Sequence, residues 1–360
     1  MAVSGRVYLY WNATAPLRAR ARAAMIAALD VVGNPSSVHG EGRKARALIE
    51  RARDDVAQLV GCRAGEVVFT SGATEAAGVL TGLGGCGPVF VEPTSHDCLI
   101  AHATSQAGQA EAGPGGGVLA MGLANGETGI VSSLPERVEG GYRAGAGRAR
   151  MLLLDIVQAA GRLPFAFAWS GADFALLSAH KIGGPKGVGA LIVREGVQIA
   201  SLRPGGGQEM GRRSGTENVV GLAGFGAAAA EALRDLDGGV WTAVAALRDR
   251  LEARLSQSGA IIVGKTGARL PNTSCILTPG WKGETQVMQM DLAGYAISAG
   301  SACSSGKVRT SRVLRAMGYD DIAAASAIRV SIGPTTTQDE IDAFASAWLA
   351  HYERFRAKAA

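Results

Sequence analysis

Three places in the chain carry residue types that chemistry uses. The first is Lys181, in the stretch SAHKIGGPKG, which directly follows the apolar run ADFALL. An amine at the mouth of a buried strand loses part of its hydration, which lowers its pKa and makes it a usable nucleophile. A solvated loop lysine is the other reading, and it suits the neighbouring Lys186 better. The second place is Asp155, at the end of LLLD, with Gln158 just after it. A carboxylate there is nearly buried and needs a positive or donor partner, unless it only caps a turn. The third is TSGATE at 70 to 75, where a strand turns into a helix. The amides and hydroxyl of Ser71 to Thr74 form an anion site suited to phosphate, or an ordinary N-cap.

Together these three are the parts a pyridoxal phosphate site requires. A lysine makes the Schiff base, a carboxylate keeps the pyridine nitrogen protonated, and a helix end holds the phosphate. Four more residues fit around them. His96, in PTSHDCLI, is placed to stack on a ring or relay a proton, or simply to cap a helix. Asn125, in ANGETG, can donate to a ring oxygen or form a plain Asn-Gly turn. Arg329 interrupts the apolar AIRVSIG, where it suits a substrate carboxylate or an internal ion pair. Cys303 stands among serines and glycines in SAGSACSSG, unlike Cys275 in the apolar NTSCILTP. The Cys303 surroundings predict an exposed thiol, whose thiolate is the nucleophile.

Elements must bring these residues together. Ala, Arg and Leu at helical spacing predict helices between about 17 and 60. Short apolar runs then alternate with helical stretches: EVVFT, PVFV, GVLAMG, RMLLLD, ADFALL and GALIV. Continuous apolar strands bounded by turn residues need a sheet covered on both faces, and the alternation predicts a mainly parallel one. Ligands bind beyond the carboxyl ends of such strands, where the candidate residues lie. A long alanine-rich helix is predicted over Leu222 to Leu255. Beyond it, AIIVGK, NTSCILTP and AIRVSIG are strands of a second, smaller α/β domain from about 245.

Bulk composition narrows the classes. With 360 residues and 47% hydrophobic content, the chain can bury more than one core. A net charge of +5 is mild, and arginine runs such as Arg18 to Arg22 read as solvated helix faces. Few aromatics argue against base-stacking platforms and direct nucleic-acid binding. No apolar run is long enough to span a bilayer, and MAVSGRVYLYW has no signal-peptide core, so a cytoplasmic protein is expected. The 5 cysteines lack CxxC spacing, which argues against a disulfide framework or an intrinsic metal site.

The motifs GNPSSVHGEGRKA, FTSGATE, NGETG, SAHKIGGPKGVGAL, GGGQEMGRRSGTEN and SAGSACSSG occur in this order between about Tyr8 and the last helix. In that set and order the chain resembles the cysteine desulfurases, pyridoxal-phosphate enzymes of the class V aminotransferase group. The resemblance implies a fold-type I architecture: a large domain with a mainly parallel seven-stranded sheet over 13–245, and a small α/β domain from 1–12 and 246–360 carrying the Cys303 loop. It implies a Lys181 Schiff base, with Ala73 and Thr74 on the phosphate and Ser178 and His180 also on the cofactor. It implies a homodimer, in which Thr216 reaches the partner subunit's phosphate. Asp155 pairs with the pyridine nitrogen, Gln158 and Asn125 tune the ring oxygen, and His96 stacks on the ring. Arg329 and Asn12 orient the substrate carboxylate, and Cys303 attacks sulfur.

The implied reaction takes L-cysteine to alanine and leaves a persulfide on Cys303. That sulfur passes to an acceptor or iron–sulfur scaffold protein, with Cys303 at most a transient ligand of the cluster. A selenocysteine lyase, another class V lyase and a catalytically quiet scaffold are the alternatives; the presence of both Lys181 and Cys303 favours the desulfurase. Tyr10 stands where relatives carry an acid, Gly126 where they carry a second Asn, and Arg312 where many carry His. The stretch 97–124 has room for a strand and little else.

Overall fold

The computed structural model describes residues 5–106, 116–145, 147–300 and 310–359. Cys303 lies outside them. The described chain separates into two compact units. The larger comprises Pro16–Leu123 and Ser132–Gly238; the smaller takes the stretch ending at Ala15, the segment Ala124–Val131 and the chain from Gly239 onward. Within the span 13–245, then, the loop bearing Asn125 packs with the smaller unit.

The larger unit is built on seven strands: β1 (Val67–Thr70), β2 (Val89–Val91), β3 (Ser105–Gln106), β4 (Val118–Gly122), β5 (Met151–Asp155), β6 (Phe174–Ser178) and β7 (Gly189–Val193). Their order is β1-β7-β6-β5-β4-β2-β3. Only β7 runs against its neighbours; the other pairings are parallel. The apolar runs are continuous because both faces are covered. Leu152, Leu154, Ala175 and Leu177 join one core, while Leu153, Phe174 and Leu176 join the other.

The first core is completed by α2 (Gly40–Val60) and α4 (Val219–Asp237), with α1 (Ala19–Leu29) beside them, whereas α3 (Ala73–Ala77) buries Ala76 and Ala77 in the other core. In α2, Ala45, Ile49, Ala52 and Val56 repeat every three or four residues and are buried on one stripe. Here α2 and α4 touch backbone to backbone. A Cβ on Gly226 would lie 2.6 Å from the Ala52 Cα, so the glycine is required for the approach.

The helix expected over Leu222 to Leu255 is in fact two. It breaks at Gly238 and Gly239, the latter at φ 68°, a left-handed conformation that glycine adopts without strain. The second piece, α5 (Val240–Ser256), belongs to the smaller unit. That unit has a four-stranded antiparallel sheet of β8 (Ile261–Ile262), β9 (Thr273–Leu277), β10 (Ser298–Ala299) and β11 (Ala327–Ser331), in the order β8-β9-β11-β10. Its core is aromatic, with Trp281 and Trp348 5.4 Å apart beside Phe344. Among the described residues no helix is long and apolar enough to cross a membrane.

Candidate active site

The register across the larger sheet brings the candidates together. Ser178 faces Gly189 and Gly189 faces Thr70, so the ends of β6, β7 and β1 lie in one row. Asp155 ends β5, paired with Leu176 of β6 and Gly122 of β4. A short 3-10 turn, Ala179–Lys181, follows β6 and carries His180 and Lys181. All of this lies at the carboxyl edge, where parallel sheets bind ligands.

At the end of β1 the chain turns through Gly72 into α3. No side chain caps this helix. Among the described residues, the amides of Ala73 and Thr74 meet no acceptor. The turn sits against β6 and β7: a Cβ on Gly189 would lie 2.7 Å from the Gly72 Cα, and one on Gly72 3.7 Å from the Ser178 hydroxyl.

Asp155 is buried. Burial raises its pKa, while the nearby charges of His96 and Lys181 and the Val157 amide act to lower it. The Val157 N–H donates to Oδ1 at 2.9 Å. The other oxygen, Oδ2, has no hydrogen-bond donor among the described residues. His96 does cap its helix: Nδ1 accepts from the Cys98 amide at 3.1 Å. In the neutral ring the proton is therefore on Nε2. His180 is partly buried, with an Nδ1 that has no partner, and burial beside Lys181 and Lys186 pushes its pKa down to about 4.

Two arginines that sequence reasoning missed hold the Lys181 turn. Arg162 is buried; its Nη2 donates to the Lys181 carbonyl at 3.0 Å, and its Nη1 to the carbonyl and Oε1 of Gln158. A guanidinium meets only acceptors, so this fixes the oxygen end of the Gln158 amide. From the other side Arg18 donates Nε to the Ile182 carbonyl at 2.7 Å and pairs with Asp235 at 2.7 Å.

Thr216 is exposed, on the segment between Gly211 and α4. Two ion pairs anchor that region. Arg213 pairs with Glu75 of α3 at 3.1 Å. Glu209, buried, takes both guanidinium nitrogens of Arg53 at 2.8 Å and the Phe69 amide at 3.0 Å. Glu209 and Met210 hold φ of 50° and 57°, costing roughly 1–3 kcal/mol each, so these contacts maintain a strained turn. One signal was visible: Arg53 falls four residues after Ile49 and three before Val56, on the apolar stripe of α2.

The remaining candidates lie in the smaller unit. Asn125 is a turn residue: Oδ1 accepts from the amides of Glu127 and Thr128 at 2.9 and 2.8 Å. That leaves the nitrogen as the donor end of its side chain. Asn12 is the other residue that the resemblance assigns to the substrate carboxylate. It is buried; its amide nitrogen donates to the Gly126 carbonyl at 3.0 Å and the Thr273 hydroxyl at 2.8 Å, while Asn272 donates to its oxygen. Gly126 takes part through its backbone alone, and Arg329 Nη1 shares its carbonyl at 3.1 Å. Arg329 is buried, its Nε has no partner, and its guanidinium lies 5.5 Å from the Tyr10 ring. Tyr10 thus offers a π face, which attracts the cation without neutralising it. Arg312 opens a short helix capped by Ser311. Cys275 is fully buried and its thiol is pushed well up, first by burial and then by Glu127.

The sequence profile of the Aminotransferase class-V family matches residues 7–84 and 104–344. A cysteine desulfurase of Cereibacter sphaeroides is 39% identical over 370 residues, covering 94% of this chain and 93% of the relative. The chain belongs to the class V aminotransferase family, among the cysteine desulfurases. A cysteine desulfurase of a Frankia strain is likewise 39% identical, covering 93% of this chain and 88% of the relative. A NifS-like protein of Rickettsia africae superposes with a TM-score of 0.85 at 30% identity, covering 97% of this chain and 99% of that one.

Members of this family depend on pyridoxal phosphate, and the residues here fit it. The unmatched amides of Ala73 and Thr74 suit a phosphate, the open Oδ2 of Asp155 suits a protonated ring nitrogen, and the orphaned Nδ1 of His180 lies beside the lysine. No group of three or more metal-ligating side chains occurs among the described residues.

Proposed function

We propose that this chain removes sulfur from L-cysteine, giving L-alanine and a persulfide on Cys303. The observation that carries the reading is the pairing of Asp155 and Lys181 at the ends of adjacent strands, beside an uncapped helix start. Lys181 would hold the cofactor aldehyde, Asp155 the pyridine nitrogen, and Ala73 and Thr74 the phosphate. Ser178, His180 and His96 would line it, while Gln158 and Asn125 present amide nitrogens to the ring oxygen. When bound, pyridoxal phosphate supplies an aldehyde that condenses with amines and a ring that accepts the electron pair left at Cα.

The protein's own groups do the rest. Arg329, held by Gly126 and the Tyr10 face, keeps its charge for the substrate carboxylate. Lys181 Nζ takes the Cα proton and returns one to Cβ. Cys303 Sγ, as thiolate, attacks the substrate sulfur; the S–S bond forms as the substrate C–S bond breaks. Cysteine plus thiol gives alanine plus persulfide, so the atoms balance without an external oxidant. The outer sulfur then goes to an acceptor protein, in the service of iron–sulfur cluster assembly. We infer a homodimer in which Thr216 reaches the partner subunit's phosphate; exposed Ile26, Leu29, Val32 and Val38 support a covering second copy.

The test is alanine release from L-cysteine by the purified protein. Lys181→Ala should abolish both alanine and the visible absorbance of lysine-bound cofactor. Alanine formed at the parent rate by Lys181→Ala would overturn the reading.

A further inference from the structure

Away from the active-site residues, the larger unit carries a cavity of about 740 Å³. It lies under a three-stranded antiparallel meander, Arg137–Val138, Gly141–Ala144 and Gly147–Ala149. Its size is that of a small-molecule pocket, for which about 300–1,000 Å³ is usual. Three guanidinia line it, those of Arg137, Arg150 and Arg194. None forms an ion pair among the described residues, although Arg53, Arg143, Arg250 and Arg269, for example, all do.

Two of the three are fixed by neutral groups. Arg137 Nη2 donates to the Tyr142 hydroxyl at 3.0 Å and lies over its ring at 5.4 Å. Arg194 donates to the carbonyls of Ala172 and Phe167 at 2.7 and 3.1 Å and lies over the Phe167 ring. These contacts orient the charges without cancelling them. Among the described lining residues Asp173 is the one carboxylate; it accepts from the Leu152 amide and feels the charges of Arg194 and Arg137, so one negative charge faces three positive ones in the lining. The same cavity is lined by Trp169, which is 90% exposed, while Trp281 and Trp348 are buried. An indole left in water beside arginines in excess of carboxylate is poised to stack on a planar ring whose charged groups the arginines hold.

We propose that this cavity binds a small organic polyanion bearing a planar ring, of the nucleoside polyphosphate class. The arginines take the phosphates and Trp169 takes the base. The proposal is independent of the desulfurase reading, since none of these residues lies in the candidate active site. ATP is titrated into the cofactor-loaded protein and followed by calorimetry and tryptophan fluorescence, with inorganic tripolyphosphate and adenosine as separate arms. Saturable ATP binding is expected, weaker at high salt. Arg150→Glu should weaken ATP and tripolyphosphate tenfold or more. Trp169→Ala should weaken ATP by about fivefold or more, as lost base stacking does, and leave tripolyphosphate unchanged. Alanine release should be unaltered in both variants. Failure of ATP to bind below about 1 mM, or binding that neither variant changes, overturns the site. Equal affinity for ATP and tripolyphosphate overturns the ring contact.

Discussion

Replacing Arg162 with Met tests how the catalytic turn is held. The side chain is buried and donates to the Lys181 carbonyl at 3.0 Å and to the Gln158 carbonyl at 3.2 Å, besides its contact with Gln158 Oε1. Met fills much of the space but donates nothing, leaving the Lys181 carbonyl without this partner. Hydrogen bonds from a charged group are worth about 1.5–3 kcal/mol, and stranding a buried acceptor adds to the loss. A destabilisation of about 3 kcal/mol is therefore expected. At about 2–4 °C per kcal/mol for a unit of this size, Tm should fall by roughly 6–12 °C. The looser turn should also cost cofactor affinity about tenfold, or about 1.4 kcal/mol. The assays are scanning calorimetry and absorbance titration of the cofactor-free protein with pyridoxal phosphate. Arg162→Lys, which keeps the charge but not the fork, should fall between. A variant as stable as the parent, with unchanged cofactor affinity, would refute this role for Arg162.

Other outcomes follow from buried groups. Glu209→Gln removes the charge facing Arg53 inside the protein, so denaturant melts should show a loss of about 3 kcal/mol and limited proteolysis should open the 203–216 stretch; an unchanged melt would contradict it. His180 is held near 4, against about 6.5 in an unfolded chain. Its neutral form therefore adds stability above about pH 6.5 that is lost as pH falls toward 4. His180→Phe should flatten that part of the stability–pH curve relative to the parent, and an identical curve would refute it. Burial, and then Glu66, push the Cys62 thiol up to about 12, and burial holds the Cys275 thiol well above its ordinary value. Iodoacetamide at pH 8 should leave both unlabelled in the native protein, as peptide mapping can check.

The strands were legible because burial on both faces leaves apolar residues in all but their ends, as in LLLD and FALLS. So were the positions of Asp155 and Lys181 at the ends of strands, since polar residues stand out against such runs. The break at Gly238–Gly239 was hidden inside an alanine-rich pattern that favours helix on both sides. The meander at 137–149 gave no signal, because its strands are two to four residues long and rich in arginine and glycine. The hydrogen bonds of Asn12 were hidden for a different reason. Its partners Gly126, Asn272, Thr273 and Ser331 are more than a hundred positions away, and local sequence says nothing of them. Arg162 and Arg18 act on carbonyls, which no residue-type pattern reveals.

The central claim is best tested by mass spectrometry of the protein after one turnover with L-cysteine. The peptide containing Cys303 should be heavier by one sulfur atom, in step with the alanine released, and Cys303→Ala should retain its cofactor yet form neither product at the parent rate. Extra sulfur found on Cys62, Cys86, Cys98 or Cys275 instead, or undiminished turnover by Cys303→Ala, would contradict the account.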